Sequence, residues 1–272
     1  MIRYDTLLFP GGWSRAFTLS YDDGVTQDRH LAALFRDYGL KCTFNLNSGL
    51  YGHRFSDGVV RLEEGEIDEV FAGHELGGHG LTHAALDHLS GPRLAYEIVE
   101  DKRRLEEHSE RPLTMFAYPY GTWNEAAAAQ LSMAGYMGAR TVVSTGGFGL
   151  PRDFLRWDPT CHHKDPRLME LAGRFTGEEA SGPRLFYVWG HAYEFDMDGN
   201  WQVMEELCRY MAAHARDVWF CTNGELIRCL KAHRALEYAV DGSMVANPSA
   251  LDVWLQTGDG PACVPAGGIL HI

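Results

Sequence analysis

The sequence predicts an α/β fold, a (β/α) barrel followed by a small C-terminal β appendage. From residue 16 strand-like runs alternate with amphipathic helical ones, the pattern of a parallel sheet wrapped by helices. The 272 residues are a usual length for one barrel. After Leu236 the texture changes to Asp-Gly, Asn-Pro, Gly-Asp-Gly and Pro-Ala-Gly-Gly turn signals between short β-branched or aromatic runs. These features divide the chain into a barrel over 1–235 and an appendage over 236–272.

The elements follow in order. Ala16 to Tyr21 (AFTLSY) alternates apolar and polar positions and runs into Asp22-Asp23-Gly24, a strand ending in a turn. Thr26 to Tyr38 places Leu31, Leu34, Phe35 and Tyr38 at helical spacing, with Gly39 where a helix end needs a left-handed residue. Lys41 to Asn47 and Glu75 to Gly78 read as the next strands, and Arg93 to His108 as a helix with a charged face. Leu113 to Tyr118 is a strand, Glu125 to Ala134 an Ala-rich helix, and Tyr136 to Val143 and Leu185 to Trp189 two further strands. Thr222 with Glu225 three residues on forms a capping box that opens a helix to about Ala235.

Composition narrows the function. The chain is 45% hydrophobic and 22% charged, as expected of a globular domain with a sizeable core. Its 24 Lys and Arg against 37 Asp and Glu leave a net charge of -13, with no basic stripe, so neither nucleic acid nor an anionic membrane is an expected partner. The start, Met-Ile-Arg-Tyr-Asp, reaches Pro-Gly-Gly by residue 12 without an apolar export signal. The six cysteines have no C-x-x-C pair and no disulfide-like spacing, which reads as reduced thiols and a cytoplasmic setting.

Four clusters carry chemistry. Asp22 and Asp23 lie at the C-terminal end of the first strand, where barrels place catalytic groups, although an Asp-Asp-Gly turn is also a common surface feature. His79 and His83 are four apart, just after a strand. On a helical turn both imidazoles would face one cation, with a carboxylate as third ligand and a position open for water. Pro119-Tyr120-Gly121 forms a rigid turn at another strand end, able to aim a backbone amide at a developing oxyanion. His191 ends the apolar run Val188-Trp189-Gly190, a place for a general acid and equally for a structural histidine. Trp123 and Tyr193 flank these motifs as candidate surfaces for a sugar face. Cys161-His162-His163 is a weak metal candidate, because adjacent ligands rarely converge on one ion. Glu194 to Asp198 (EFDMD) only superficially resembles a calcium loop.

In this order the motifs resemble the NodB-type polysaccharide deacetylases (carbohydrate esterase family 4-like): Thr18 to Gly24, His79 to His83, Ala117 to Gly121 and Val188 to His191, over about residues 14 to 230. The resemblance implies a distorted, seven-stranded barrel and one divalent ion, zinc foremost, with cobalt, nickel, manganese or iron as alternatives. It implies Asp23, His79 and His83 as metal ligands, Asp22 as general base, His191 as general acid and the Tyr120 amide as oxyanion donor. The expected substrate is an acetylated carbohydrate or small acylated amine, short and soluble given the expected location.

The chain departs from the family pattern at two places. The third motif normally carries an Arg that pairs with the base, and here Ala117 stands in its place. The Asp-rich fourth motif is best matched by Leu155 to Pro159, so Arg156 is expected to refill the missing charge and Asp158 to orient His191. Two other readings compete: hydrolysis of a linear or cyclic non-sugar amide, and a non-catalytic carbohydrate-binding barrel that keeps the metal site. The lost Arg favours the latter, and retention of both a base and an acid speaks against it.

Overall fold

The computed structural model describes residues 7–177 and 182–272; the N-terminal stretch Met1 to Asp5, read above for an export signal, lies outside them. The core is a parallel sheet in the order β6-β5-β4-β3-β2-β8-β7. Its strands are β2 (Arg15–Asp22), β3 (Cys42–Leu46), β4 (Glu75–Gly78), β5 (Met115–Ala117), β6 (Gly138–Arg140), β7 (Cys161–His162) and β8 (Arg184–Gly190). β2 is the spine: seven of its eight residues are buried. One of its edges runs along β8, and the other is divided between β9 (Trp219–Phe220) and β3.

The sheet curls until its edges are stitched together. Residues 154–157 exchange backbone bonds with β6, Ala139 N to Phe154 O at 2.8 Å and Trp157 N to Ala139 O at 2.9 Å. A few residues later the same segment enters β7 and pairs with β8. The seven-stranded distorted barrel expected from sequence is therefore present.

Helices α1 (Asp28–Asp37), α2 (Ile67–Val70), α3 (Gly91–Leu105), α4 (Glu125–Met133), α5 (Leu168–Gly177), α6 (Tyr193–Asp198), α7 (Trp201–Ala213) and α8 (Asn223–Arg234) accompany the sheet. The apolar faces of α1 to α7 join the main core around Phe17, Phe44, Phe186 and Phe195, and that of α8 packs in a second cluster with Phe9, Met115 and Trp157. Gly39, just past α1, has φ +66°, and the Thr222–Glu225 capping box opens α8. Among the described residues no helix is long and apolar enough to cross a membrane.

The C-terminal segment forms two small antiparallel sheets. One holds β10 (Glu237–Tyr238), β11 (Met244–Ala246) and β14 (Ile269–His271). The other joins β12 (Val253–Thr257) and β13 (Gly260–Val264) to β1 (Leu7–Leu8), so the N-terminal strand packs with the tail. Val245, Val253, Leu255 and Val264 form its own small core.

Candidate active site

Sheet register brings the motifs to one level. Asp22 is opposite Asn45, Leu46 opposite Gly78, Gly78 opposite Phe116, and Ala117 opposite Arg140. On the other side Tyr21 is opposite Gly190, so the chain leaving β8 at His191 emerges beside Asp22 and Asp23. All these groups stand at the C-terminal ends of parallel strands, the face that barrels use for chemistry.

Asp23, His79 and His83 form a triad whose ligand atoms lie within 4.8 Å of one another. Asp23 Oδ1 is 3.8 Å from His79 Nε2 and 3.6 Å from His83 Nε2. The geometry is not the helical turn expected from the i, i+4 spacing. Residues 79–83 are non-helical, and left-handed Gly80 (φ +75°) and His83 (φ +58°) fold the second imidazole back toward the first. His79 Nδ1 lies 2.7 Å from the Ala117 carbonyl, so it carries the proton and the Nε2 lone pair faces Asp23. Burial lowers both histidine pKa values, that of His83 to about 4, and keeps the rings neutral. Two imidazole lone pairs and a buried carboxylate oxygen thus converge, a donor set suited to a divalent transition ion.

Each aspartate has its own buried arginine. Arg61 Nη2 pairs with Asp23 Oδ1 at 2.9 Å, delivered by the 53–62 segment that bridges to Val25. Burial would raise the Asp23 pKa, but Arg61 and then His79 and His191 hold it well below the usual range. Asp22 accepts from Asn45 Nδ2 at 2.8 Å through one oxygen and pairs with Arg140 through the other. There too burial opposes ionisation, and Arg140, ahead of His79 and His191, lowers the pKa.

Arg140 corrects the expectation for Arg156. Arg156 lies at the surface, bound to Glu125 at 2.5 and 2.6 Å and stacked over Trp123 at 4.3 Å, so neither residue reaches Asp22. Arg140 is the register partner of Ala117, which means the charge missing from the third motif stands one strand over at the same level. Its guanidinium is also stacked on Trp189 at 4.2 Å.

Asp158 does not orient His191 either. It takes a hydrogen bond from Thr141 Oγ1, and His191 Nδ1 instead meets Glu194 Oε2 at 3.2 Å. Burial pulls the His191 pKa down, but Glu194, Asp22 and Asp23 more than offset it and the net shift is upward. Glu194 belongs to α6, so the acidic stretch is helical and not a calcium loop. Tyr193 stacks beside His191 at 5.3 Å, and the exposed Tyr120 ring meets His83 edge-on at 4.5 Å. Tyr120 is left-handed (φ 59°) within the Pro119–Gly121 turn.

The partners that sequence reading missed are Arg61, Arg140, Glu194 and His162. Arg140 had a signal, the one charged residue in the mostly apolar run Tyr136 to Val143. Glu194 had one too, a carboxylate three residues past a candidate acid. Gly190 is required in the same region, since a Cβ there would collide with the His163 ring. Gly190→Ala is expected to cost about 1–3 kcal/mol by overpacking. Urea unfolding checks this, and an unchanged midpoint would mean that His163 moves aside freely.

The curled parallel sheet with this cluster at its strand ends defines a NodB-type distorted (β/α) barrel. Residues 13–139 match the family model described as Polysaccharide deacetylase. A putative polysaccharide deacetylase from Mycobacterium smegmatis is similar over 84% of this chain and 94% of that one, with 14% identity and a TM-score of 0.61. Peptidoglycan deacetylase PdaC from Bacillus subtilis, in a mutant form, is similar over 84% and 96%, with 18% identity and a TM-score of 0.52. Streptococcus pyogenes deacetylase PplD in complex with acetate is 19% identical over 51% of this chain and 61% of its own, with a TM-score of 0.46. The chain therefore spans less than two thirds of PplD's length. At these identities the likeness describes the fold. No curated protein matches the sequence significantly.

Proposed function

We propose that this protein removes an acyl group, acetyl foremost, from the amide nitrogen of a carbohydrate or small acylated amine, using one divalent ion held by Asp23, His79 and His83. The observation that carries this reading is the convergence of Asp23 Oδ1 with two neutral Nε2 atoms at 3.6 and 3.8 Å, beside a separate ionised carboxylate and a histidine with a raised pKa. Binding alone needs neither a base nor an acid. When bound, the ion supplies an acidified water and polarises the acyl oxygen.

Asp22 takes the proton from the attacking water, and Arg140 keeps it ionised for that task. His191 gives a proton to the departing nitrogen, which would otherwise leave as an unstable amide anion. The backbone amide of Tyr120 would donate toward the acyl oxygen as negative charge gathers there. The non-catalytic reading loses its main support, because Arg140 supplies the charge absent at Ala117.

Purified protein is expected to carry about one divalent ion per chain, as in other open three-ligand sites. His79→Ala or His83→Ala empties it. Equal metal content in the wild type and both variants would remove the basis of the assignment. Zinc is the ion this donor set suits first, and a cytoplasmic protein would meet a short soluble substrate. Turnover of N-acetylglucosamine oligomers should then exceed that of insoluble chitin or peptidoglycan, and a marked preference for the polymers would contradict this.

A further inference from the structure

One carboxylate oxygen of α6 is approached by three histidines. Glu194 Oε2 lies 3.2 Å from the His191 backbone N–H, 3.2 Å from His191 Nδ1, 3.2 Å from His162 Nε2 and 3.4 Å from His163 Nε2. Its other oxygen meets Lys164 Nζ at 3.3 Å. We infer that Glu194 is the positioning residue of His191, and that His162 serves to hold Glu194 in place, while His163 Nε2 lies nearby without a hydrogen bond to it. This rests on the assignment of His191 as proton donor above.

The proton positions follow from the partners on the far side of each ring. His162 Nδ1 accepts the Lys164 backbone N–H at 3.1 Å, so its own proton is on Nε2, facing Glu194. His163 Nδ1 meets the Tyr21 hydroxyl at 3.2 Å. Burial keeps Tyr21 a neutral phenol, which donates, and the His163 proton also falls on Nε2. Burial and neighbouring His162 lower the His163 pKa to about 3, so the ring stays neutral.

Glu194, an acceptor only when ionised, thus sees donors alone. Burial opposes its charge, and the bonds from His162 and His191 overcome this and hold its pKa far below the usual range. A fixed anion at Nδ1 turns the His191 ring and leaves Nε2–H as the proton presented to the leaving group.

His162, His191 and Glu194 also have the composition of a second cation site. The tautomers oppose that reading. Ligation through His162 Nε2 would move its proton to Nδ1, against the Lys164 N–H it now accepts, and the Lys164 ammonium, shared with Asp198 at 2.8 Å, already lies 3.3 Å from the carboxylate. One ion per chain, not two, is the consequence.

The test compares two substrates that differ in their need for an acid. An N-acetylglucosamine oligomer has a poor leaving group that must be protonated, whereas 4-nitrophenyl acetate releases a stable phenolate. Glu194→Gln is expected to lower kcat on the oligomer by about 10²-fold. KM and metal content should hold, and the aryl ester should change by less than about threefold, since no protonation is needed there. Should Glu194→Gln fail to fold, His162→Gln should show the same split at about tenfold, with Glu194 held less firmly. Equal loss on both substrates, no loss on either, or a second ion that disappears in His162→Ala would overturn the inference. A metal-loaded wild type inactive on both substrates would overturn the hydrolase reading itself, a separate outcome.

Discussion

His191→Ala is expected to lower kcat on an N-acetylated amine by about 10² to 10⁴-fold while metal content stays at the wild-type level. The size follows from the chemistry, because an amine cannot leave without a proton and His191 is the histidine whose pKa is raised beside Asp22 and Asp23. Asp22→Asn should act likewise, as it removes the proton acceptor and leaves the triad intact. Asp23→Asn should differ from its neighbour by also weakening metal affinity, since Asp23 Oδ1 is the atom facing both imidazoles. Steady-state kinetics with metal analysis separates the cases. If Asp22→Asn lost the ion and Asp23→Asn kept it, the two roles would be reversed.

Arg140→Ala should destabilise the fold by about 3–5 kcal/mol, the usual cost of leaving one half of a buried ion pair uncompensated. Both Arg140 and Asp22 are almost wholly buried, so no water can replace the guanidinium. Trp189 would lose its stacking partner as well. Adding Asp22→Asn to Arg140→Ala should recover most of the loss, because the stranded charge is then gone. Urea unfolding of the wild type, both single variants and the double variant measures this coupling. A loss below about 1 kcal/mol in Arg140→Ala would place the pair in a solvated environment.

Local pattern located several elements because their signals are local, although it named neither α5 (Leu168–Gly177) nor α7 (Trp201–Ala213). The alternation of Ala16 to Tyr21 marks β2, Glu75 to Gly78 is β4, and Thr222 with Glu225 caps α8. The resemblance brought Asp22, Asp23, His79, His83 and His191 together because each motif sits at the end of its own strand. What was not legible came from register and crossing partners. Arg140 meets Asp22 across 118 positions of sequence, and only the alignment of β5 with β6 puts it beside Ala117. Arg156 looked suitable in sequence, yet its turn faces solvent and Glu125 takes it. The helical geometry assumed for His79 and His83 failed because Gly80 and His83 adopt positive φ, which spacing alone does not encode. His162 and His163 looked like adjacent ligands that rarely converge, and in fact both approach Glu194, one through a partly exposed ring and one through a buried ring.

We propose that this cluster hydrolyses an acylated amine with the help of one divalent ion. The most direct measurement is acetate release from N-acetylglucosamine oligomers by purified protein, before chelation, after chelation, and after zinc or cobalt is restored. Release in step with free amine, loss with the chelator, and recovery on adding about one ion per chain are expected. Release that ignores the chelator, or no release from any acetylated amine by the metal-loaded protein, would contradict it.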